Sequence, residues 1–400
     1  MSQRVFLHVG LPKSGTSYVQ KLLAANKPRL KRDADLLFPG ARWHKQVLAV
    51  RDVRDMGRRR AARGQWAQLV KEIAAWPGDS VISMEWLCAA DDAHIRRIVE
   101  DLAPATIEVV FTVRDVARTL PAAWQEFMQN RYTWSWDEFL EAVTSAEPLD
   151  SEPGRVFWSQ QDVPGLVGRW SSVVSPDHTH VVTLPHPGAA PGVLWQRLAQ
   201  VFGIDSQGYV VDGLGGNESL GLESTELMRR LNPLTREAGI NRTSYHQIFK
   251  HTLAKGVLAE RRSLESRLAL PVAHHEWATA TANRQIESLR ASGVHVVGDL
   301  ADLEPVFPTG EQPANLSDGQ LLETSLVGLV ALASRAEAAE RERMKVETRN
   351  LRLERRLARS QRRLVRAEER VSSLSARVSQ FETAPLRSGL RLRARSLRSK

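Results

Sequence analysis

Apolar runs of strand length alternate with helical patterns through the first three quarters of the chain. Residues 4–9, 80–84, 108–113 and 178–184 read as buried strands, and 294–297 as a weaker one. Between them, apolar positions recur at helical spacing over 15–25, 65–76, 92–102, 117–130 and 193–202. Strands apolar on both faces, separated by amphipathic helices, predict an α/β fold: a mostly parallel sheet flanked by helices. Ligands of such sheets bind beyond the carboxyl ends of the strands, so candidate chemistry belongs there.

The pattern changes further on. Residues 217–292 are helical and polar-rich, which suits either a cap or lid over the sheet or padding on one face. Pro305, Pro308, Gly310, Pro313 and Gly319 mark 301–319 as a linker. Then Leu357, Leu364, Val371 and Val378 recur every seven residues, with Ala367, Leu374 and Phe381 three behind. Extended backward, the first register holds Asn350 and Arg343, the second Leu353, Val346, Ala339 and Leu332. Sustained heptads predict a coiled-coil helix over 320–383, pairing as a homodimer. Asn350 favours one register and two strands, while Arg343, Asn350 and Ser360 weaken the seam; a single solvated helix is the alternative. The expected organisation is an α/β domain at 1–300, the linker, the coiled coil, and a basic tail at 384–400, disordered in isolation.

Charge sharpens this division. The chain carries a net charge of +9 over 400 residues. Residues 335–400 hold 20 Lys and Arg against 8 Asp and Glu, leaving 35 against 38 for 1–334. Basic character therefore belongs to the C-terminal part, and no specific nucleic-acid partner is expected of the core. The tail suits an anionic membrane surface. One cysteine, Cys88, excludes an intramolecular disulfide framework and fits a reducing compartment. With no membrane-span or signal-peptide pattern, the expectation is a cytoplasmic protein, peripheral to the membrane if the tail engages it.

The sharpest motif follows the first strand: Gly10-Leu11-Pro12-Lys13-Ser14-Gly15-Thr16-Ser17, with Tyr18, Val19, Leu22 and Leu23 opening a helix. Unpaired N–H groups at a helix start and the helix dipole favour a phosphate-like anion. Lys13 adds a full charge, Thr16 and Ser17 hydroxyl donors. This is not a Walker A loop, since Thr16 stands where a lysine should follow the second glycine. Pro12 to Ser17 instead resemble the 5′-phosphosulfate-binding loop of the sulfotransferases. That family uses 3′-phosphoadenosine 5′-phosphosulfate (PAPS) on a P-loop-like α/β fold. The resemblance implies that Pro12, Lys13, Ser14, Gly15, Thr16 and Ser17 bind the donor, with Lys13 stabilising the leaving phosphate.

Two further strand ends fit. Residues 108–113 lead into Arg114, which matches the family's arginine for the donor's 3′-phosphate. The serine usually found eight residues later is replaced by Ala122, so Arg118, Thr119 and Gln125 become candidates to compensate. The family's later Arg-Lys-Gly element has no match. A salt bridge is the plain alternative for Arg114. Glu85 follows the strand at 80–84 and resembles the glutamate that carbohydrate-modifying members use as general base. Capping a loop, or pairing with Arg96 or Arg97, is its alternative. His44 and His8 are weaker candidates, His8 reading as a core or supporting histidine. His274, His275 and Glu276 lack metal spacing, and no metal is expected.

Together these residues imply a PAPS-dependent sulfotransferase acting on a carbohydrate or glycolipid hydroxyl, with Glu85 as base. The alternatives are an inactive scaffold of the same fold assembling through its coiled coil and, further off, a P-loop kinase.

Overall fold

The computed structural model describes residues 3–56, 61–190, 192–214, 219–383 and 393. The chain divides into two units, Met1–Gly328 and Leu329–Lys400. The first is built on six parallel strands: β1 (Arg4–Gly10), β2 (Leu36–Leu37), β3 (Asp79–Ser83), β4 (Thr106–Val113), β5 (Thr179–Thr183) and β6 (His295–Val297). Their order across the sheet is β2-β3-β1-β4-β5-β6, so β1 lies at the centre with β3 on one side and β4 on the other. The expected α/β architecture is present.

Alternation explains why the sheet is covered twice. Val5, Leu7 and Val9 pack into one core with Ile82, Val109 and Phe111, while Phe6 points to the other with Val81, Val110 and Val182. Every one of these side chains is fully buried. Burying each is worth roughly 1.5–3 kcal/mol, which fixes the register of the central strands. The tryptophans at the middle of the chain join the core too. Trp124, Trp136 and Trp170 are buried, and their indole N–H groups donate to Trp134 O, Gln312 Oε1 and Cys88 O.

His8 is the polar exception inside β1. Its Nδ1 lies 2.7 Å from Ser83 Oγ on β3 and its Nε2 3.2 Å from Thr112 Oγ1 on β4. Complete burial lowers its pKa from 6.5 to about 4. The unfolded chain therefore takes up a proton that the folded one refuses, and stability falls as pH drops from 6.5 towards 4. Urea midpoints at pH 7 and pH 5.5 should show a loss that a His8→Gln variant lacks; equal losses in both proteins would refute it.

Residues 301–319, expected as a linker, belong to the first unit. Leu303 is fully buried, Glu311 N–H donates to Arg267 O, and Gln312 donates to Ala269 O. The prolines here shape packed turns rather than a free tether. The unit also takes in the start of the 66-residue helix Asp318–Thr383, where Leu321 and Thr324 are buried. In the second unit that helix runs unbroken to Thr383. The tail at 384–400 lies outside the described residues apart from Arg393. Among the described residues no helix is long and apolar enough to cross a membrane.

Candidate active site

The loop after β1 gets its shape from three left-handed residues, Gly10 (φ 81°), Lys13 (φ 67°) and Gly15 (φ 89°). Lys13 is strained there, because a side chain disfavours positive φ; strain of this kind gathers at functional sites. Gly15 ends the turn and starts helix α1 (Thr16–Ala25), whose first N–H groups have no carbonyl one turn back. A Cβ on Gly15 would come within 2.9 Å of Leu194 and 3.1 Å of Leu184. The loop is braced from below: Leu11 N–H donates to Thr112 O, and the Ser14 hydroxyl, buried, bonds Leu11 and Thr112 Oγ1. Ser14 is thus spent on holding the loop to β4. Gln161 Nε2 donates to Pro12 O at 2.9 Å and pins the other side.

Strand register brings the other candidates to the same rim. His8 pairs with Ser83 across β1 and β3, and the chain then turns into a short 3₁₀ segment, Glu85–Leu87. A Cβ on Gly10 would touch Glu85 Cβ at 2.9 Å and Thr16 Cγ2 at 3.0 Å, so glycine is what lets the carboxylate residue sit beside the loop. Glu85 accepts from Gln20 Nε2 of α1 at 2.9 Å. It has no pairing with the arginines named as its alternative: Arg96 turns to Asp92, and Arg97 to Asp55 and Asp101.

Arg114 follows β4 and precedes helix α2 (Val116–Gln129). Its Nη1 reaches Lys13 O at 3.4 Å. No carboxylate among the described residues lies within ion-pair distance of it. Asp115, next in sequence, caps α2 and binds Arg118 instead. Burial, then the charge of Arg118, push Arg114 down to about 10; Arg262 and Arg267 add to the positive field. Arg114 Nε and Arg118 Nη2 are buried donors without a partner among the described residues. Arg114 thus carries an orphaned donor in a field that neighbouring arginines make positive, a state that an anion would relieve. Of the three candidates to replace the missing serine, Thr119 donates to Asp115 O and Gln125 to Leu220 O. Only Arg118 keeps a free donor, and Ala122 is buried in α2.

Sequence reasoning did not find Glu126. It sits on α2 between two ammonium groups, Lys13 Nζ and Lys250 Nζ, each at 2.9 Å. Burial favours its neutral form, but Lys13 and Lys250 overcome this and hold the carboxyl far below its usual range. Lys250 comes from a π-helical segment, His246–Ala254, a geometry common at functional positions. Lys255 is nearby; burial lowers its pKa, with the charges of Glu126, Lys250, Lys13 and Glu85 acting on it. The signal available was the run Lys250, Lys255, Arg261, Arg262 and Arg267, dense in cations within the segment that suits either a cap or padding. His44 is exposed at the start of its helix, and His275 stacks on Phe307 and donates to Leu270 O. Among the described residues no cluster suits a metal ion.

Fold and site together define a parallel α/β protein with a cationic cluster, and Glu85 beside it, at the carboxyl edge of its central strands. No family model matches the sequence, and no curated protein is similar to it. A sulfotransferase from Alicyclobacillus acidocaldarius, known from its crystal structure, is similar at 13% identity over 72% of this chain and 94% of that one, with a TM-score of 0.40. Likeness at that level settles neither activity nor substrate, which rest on the residues themselves.

Proposed function

We propose that this protein transfers a sulfuryl group from PAPS to a hydroxyl of a carbohydrate or glycolipid. The observation that carries the reading is the pair of unpartnered buried donors, Arg114 Nε and Arg118 Nη2, beside a strained lysine loop and Glu85. When bound, the donor supplies a sulfuryl group on an anhydride bond to phosphate. Arg114 and Arg118 hold the 3′-phosphate through charge-assisted hydrogen bonds. The N–H groups of Thr16 and Ser17 and the α1 dipole take the 5′-phosphate side. Glu85 accepts the acceptor's hydroxyl proton as that oxygen bonds to sulfur. Lys13 meets the charge left on the phosphate oxygen when the sulfur–oxygen bond breaks. Glu126 cancels one of its two lysines, so the Lys13–Glu126–Lys250 group keeps one net positive charge for that anion.

Titration calorimetry with 3′-phosphoadenosine 5′-phosphate tests the binding half. Wild-type protein should bind it without added metal. Arg114→Met should weaken binding by about 10- to 100-fold, the worth of a hydrogen bond to a charged group. Absent binding by the wild type would favour the inactive scaffold, and stabilisation by ATP with magnesium alone would favour a kinase.

A further inference from the structure

We infer that the helix beyond Leu329 is one strand of a parallel, in-register two-stranded coiled coil whose partner is a second copy of this chain. This goes beyond sulfuryl transfer and stands whether or not that activity is found. In the structure the helix leaves its apolar stripe in solvent: Leu357, Leu364, Val371 and Val378 are 55–63% exposed. The stripe runs for about 80 Å of helix, from 329 to 383. An amphipathic seam of that length is covered by another helix of matching period.

The flanking charges identify which helix. With Leu357 and its heptad mates at position a, the g positions read Arg335, Arg349, Arg356, Arg363, Arg370 and Arg377, broken only by Glu342. The e positions read Glu340, Glu347, Glu354, Glu368 and Glu382, with Gln361 and Ser375 between. In a parallel pair each g side chain faces the e side chain five residues on in the other strand. Arg335 then meets Glu340, Arg349 meets Glu354, Arg363 meets Glu368 and Arg377 meets Glu382, each twice by symmetry. Glu342 facing Glu347 is the single like-charge contact. In an antiparallel pair g faces g and e faces e, which sets arginine against arginine and glutamate against glutamate. Arg349, Arg356, Arg363, Arg370 and Arg377 have no ion-pair partner among the described residues. The ion pairs within the helix lie earlier, as in Arg341–Glu337 and Arg343–Glu340.

Register and strand number follow from the seam. Asn350 at a meets its counterpart only when the two chains are aligned, and valine at a with leucine at d (Val371, Val378 and Leu374) favours two strands.

Sedimentation of the full chain should give twice 44.7 kDa. Orientation is read from Leu357→Cys and Val371→Cys, introduced singly; the native Cys88 is buried and stays silent. The two positions are about 21 Å apart along the helix. Parallel pairing lets both cross-link to a dimer on mild oxidation, whereas an antiparallel pair can align at most one. As a control for cysteines that disturb the seam, R349E/R363E/R377E and E354R/E368R/E382R chains should each lose dimer, and their mixture should regain it. A monomer or trimer by mass, cross-linking at one position or neither, or charge reversals that leave each dimer intact would overturn the inference.

Discussion

On the proposed reaction, Glu85→Gln should lower sulfuryl turnover by about 10²- to 10⁴-fold, the range for losing a general base, while binding of 3′-phosphoadenosine 5′-phosphate stays near wild type. Amide replaces carboxylate at nearly equal volume, and Gln20 can still bond its oxygen, so the fold is untouched. Lys13→Ala should cost about 10²- to 10³-fold, because in that reaction the charge on the departing phosphate loses the loop's cation. The two effects separate on structural grounds. In the proposed reaction Glu85 acts on the acceptor's proton and Lys13 on the leaving group, so only Lys13→Ala should also weaken the nucleotide. A labelled-donor transfer assay reads both, and undiminished turnover in the two variants would end the assignment of roles.

Glu126→Gln destabilises the protein by on the order of 3 kcal/mol. The carboxylate bridges Lys13 and Lys250, whose side chains are 18% and 14% exposed. Removing its charge leaves two half-buried ammonium groups facing each other, and breaking one side of such a group is costlier than deleting it whole. Adding Lys250→Met to Glu126→Gln should therefore restore part of the loss. The folded carboxyl titrates well below its ordinary value of 4.5. The sign follows: its contribution is complete above that pH and drains away as pH falls below it. Urea unfolding at pH 7 measures the loss. A single mutant as stable as wild type, or a double mutant weaker than the single, would show that the bridge does not hold the segment.

The sheet was legible because its strands are long and apolar on both faces. Five of six were placed within one or two residues, and β2 escaped because two residues, Leu36 and Leu37, have no period to read. The helices Glu152–Gln161 and Val163–Val174 escaped for another reason. Each holds a Pro-Gly pair, Pro153-Gly154 and Pro164-Gly165, a dipeptide that marks turns in a sequence. In the fold they stand in first turns behind the caps Ser151 and Asp162, where a missing N–H costs nothing. At the site, residues next to strand ends were readable, since register alone carries Lys13, Glu85 and Arg114 to one rim. Glu126 was not, because it lies three turns into a helix and its partner Lys250 is 124 residues away. The alignment of those two is a product of tertiary packing.

The row of polar groups threading Ser83, His8, Thr112 and Ser14 has a consequence for how the chain finds its fold. Each member satisfies the next across a different strand or loop, at 2.7, 3.2 and 2.8 Å. A slip of one residue in β1 would swing the imidazole to the opposite face, leaving the Ser83 hydroxyl without it and the Thr112 hydroxyl with Ser14 alone. Misaligned intermediates are thereby penalised at the centre of the sheet, so the same hydroxyl that steadies the lysine loop also proofreads the strands beneath it.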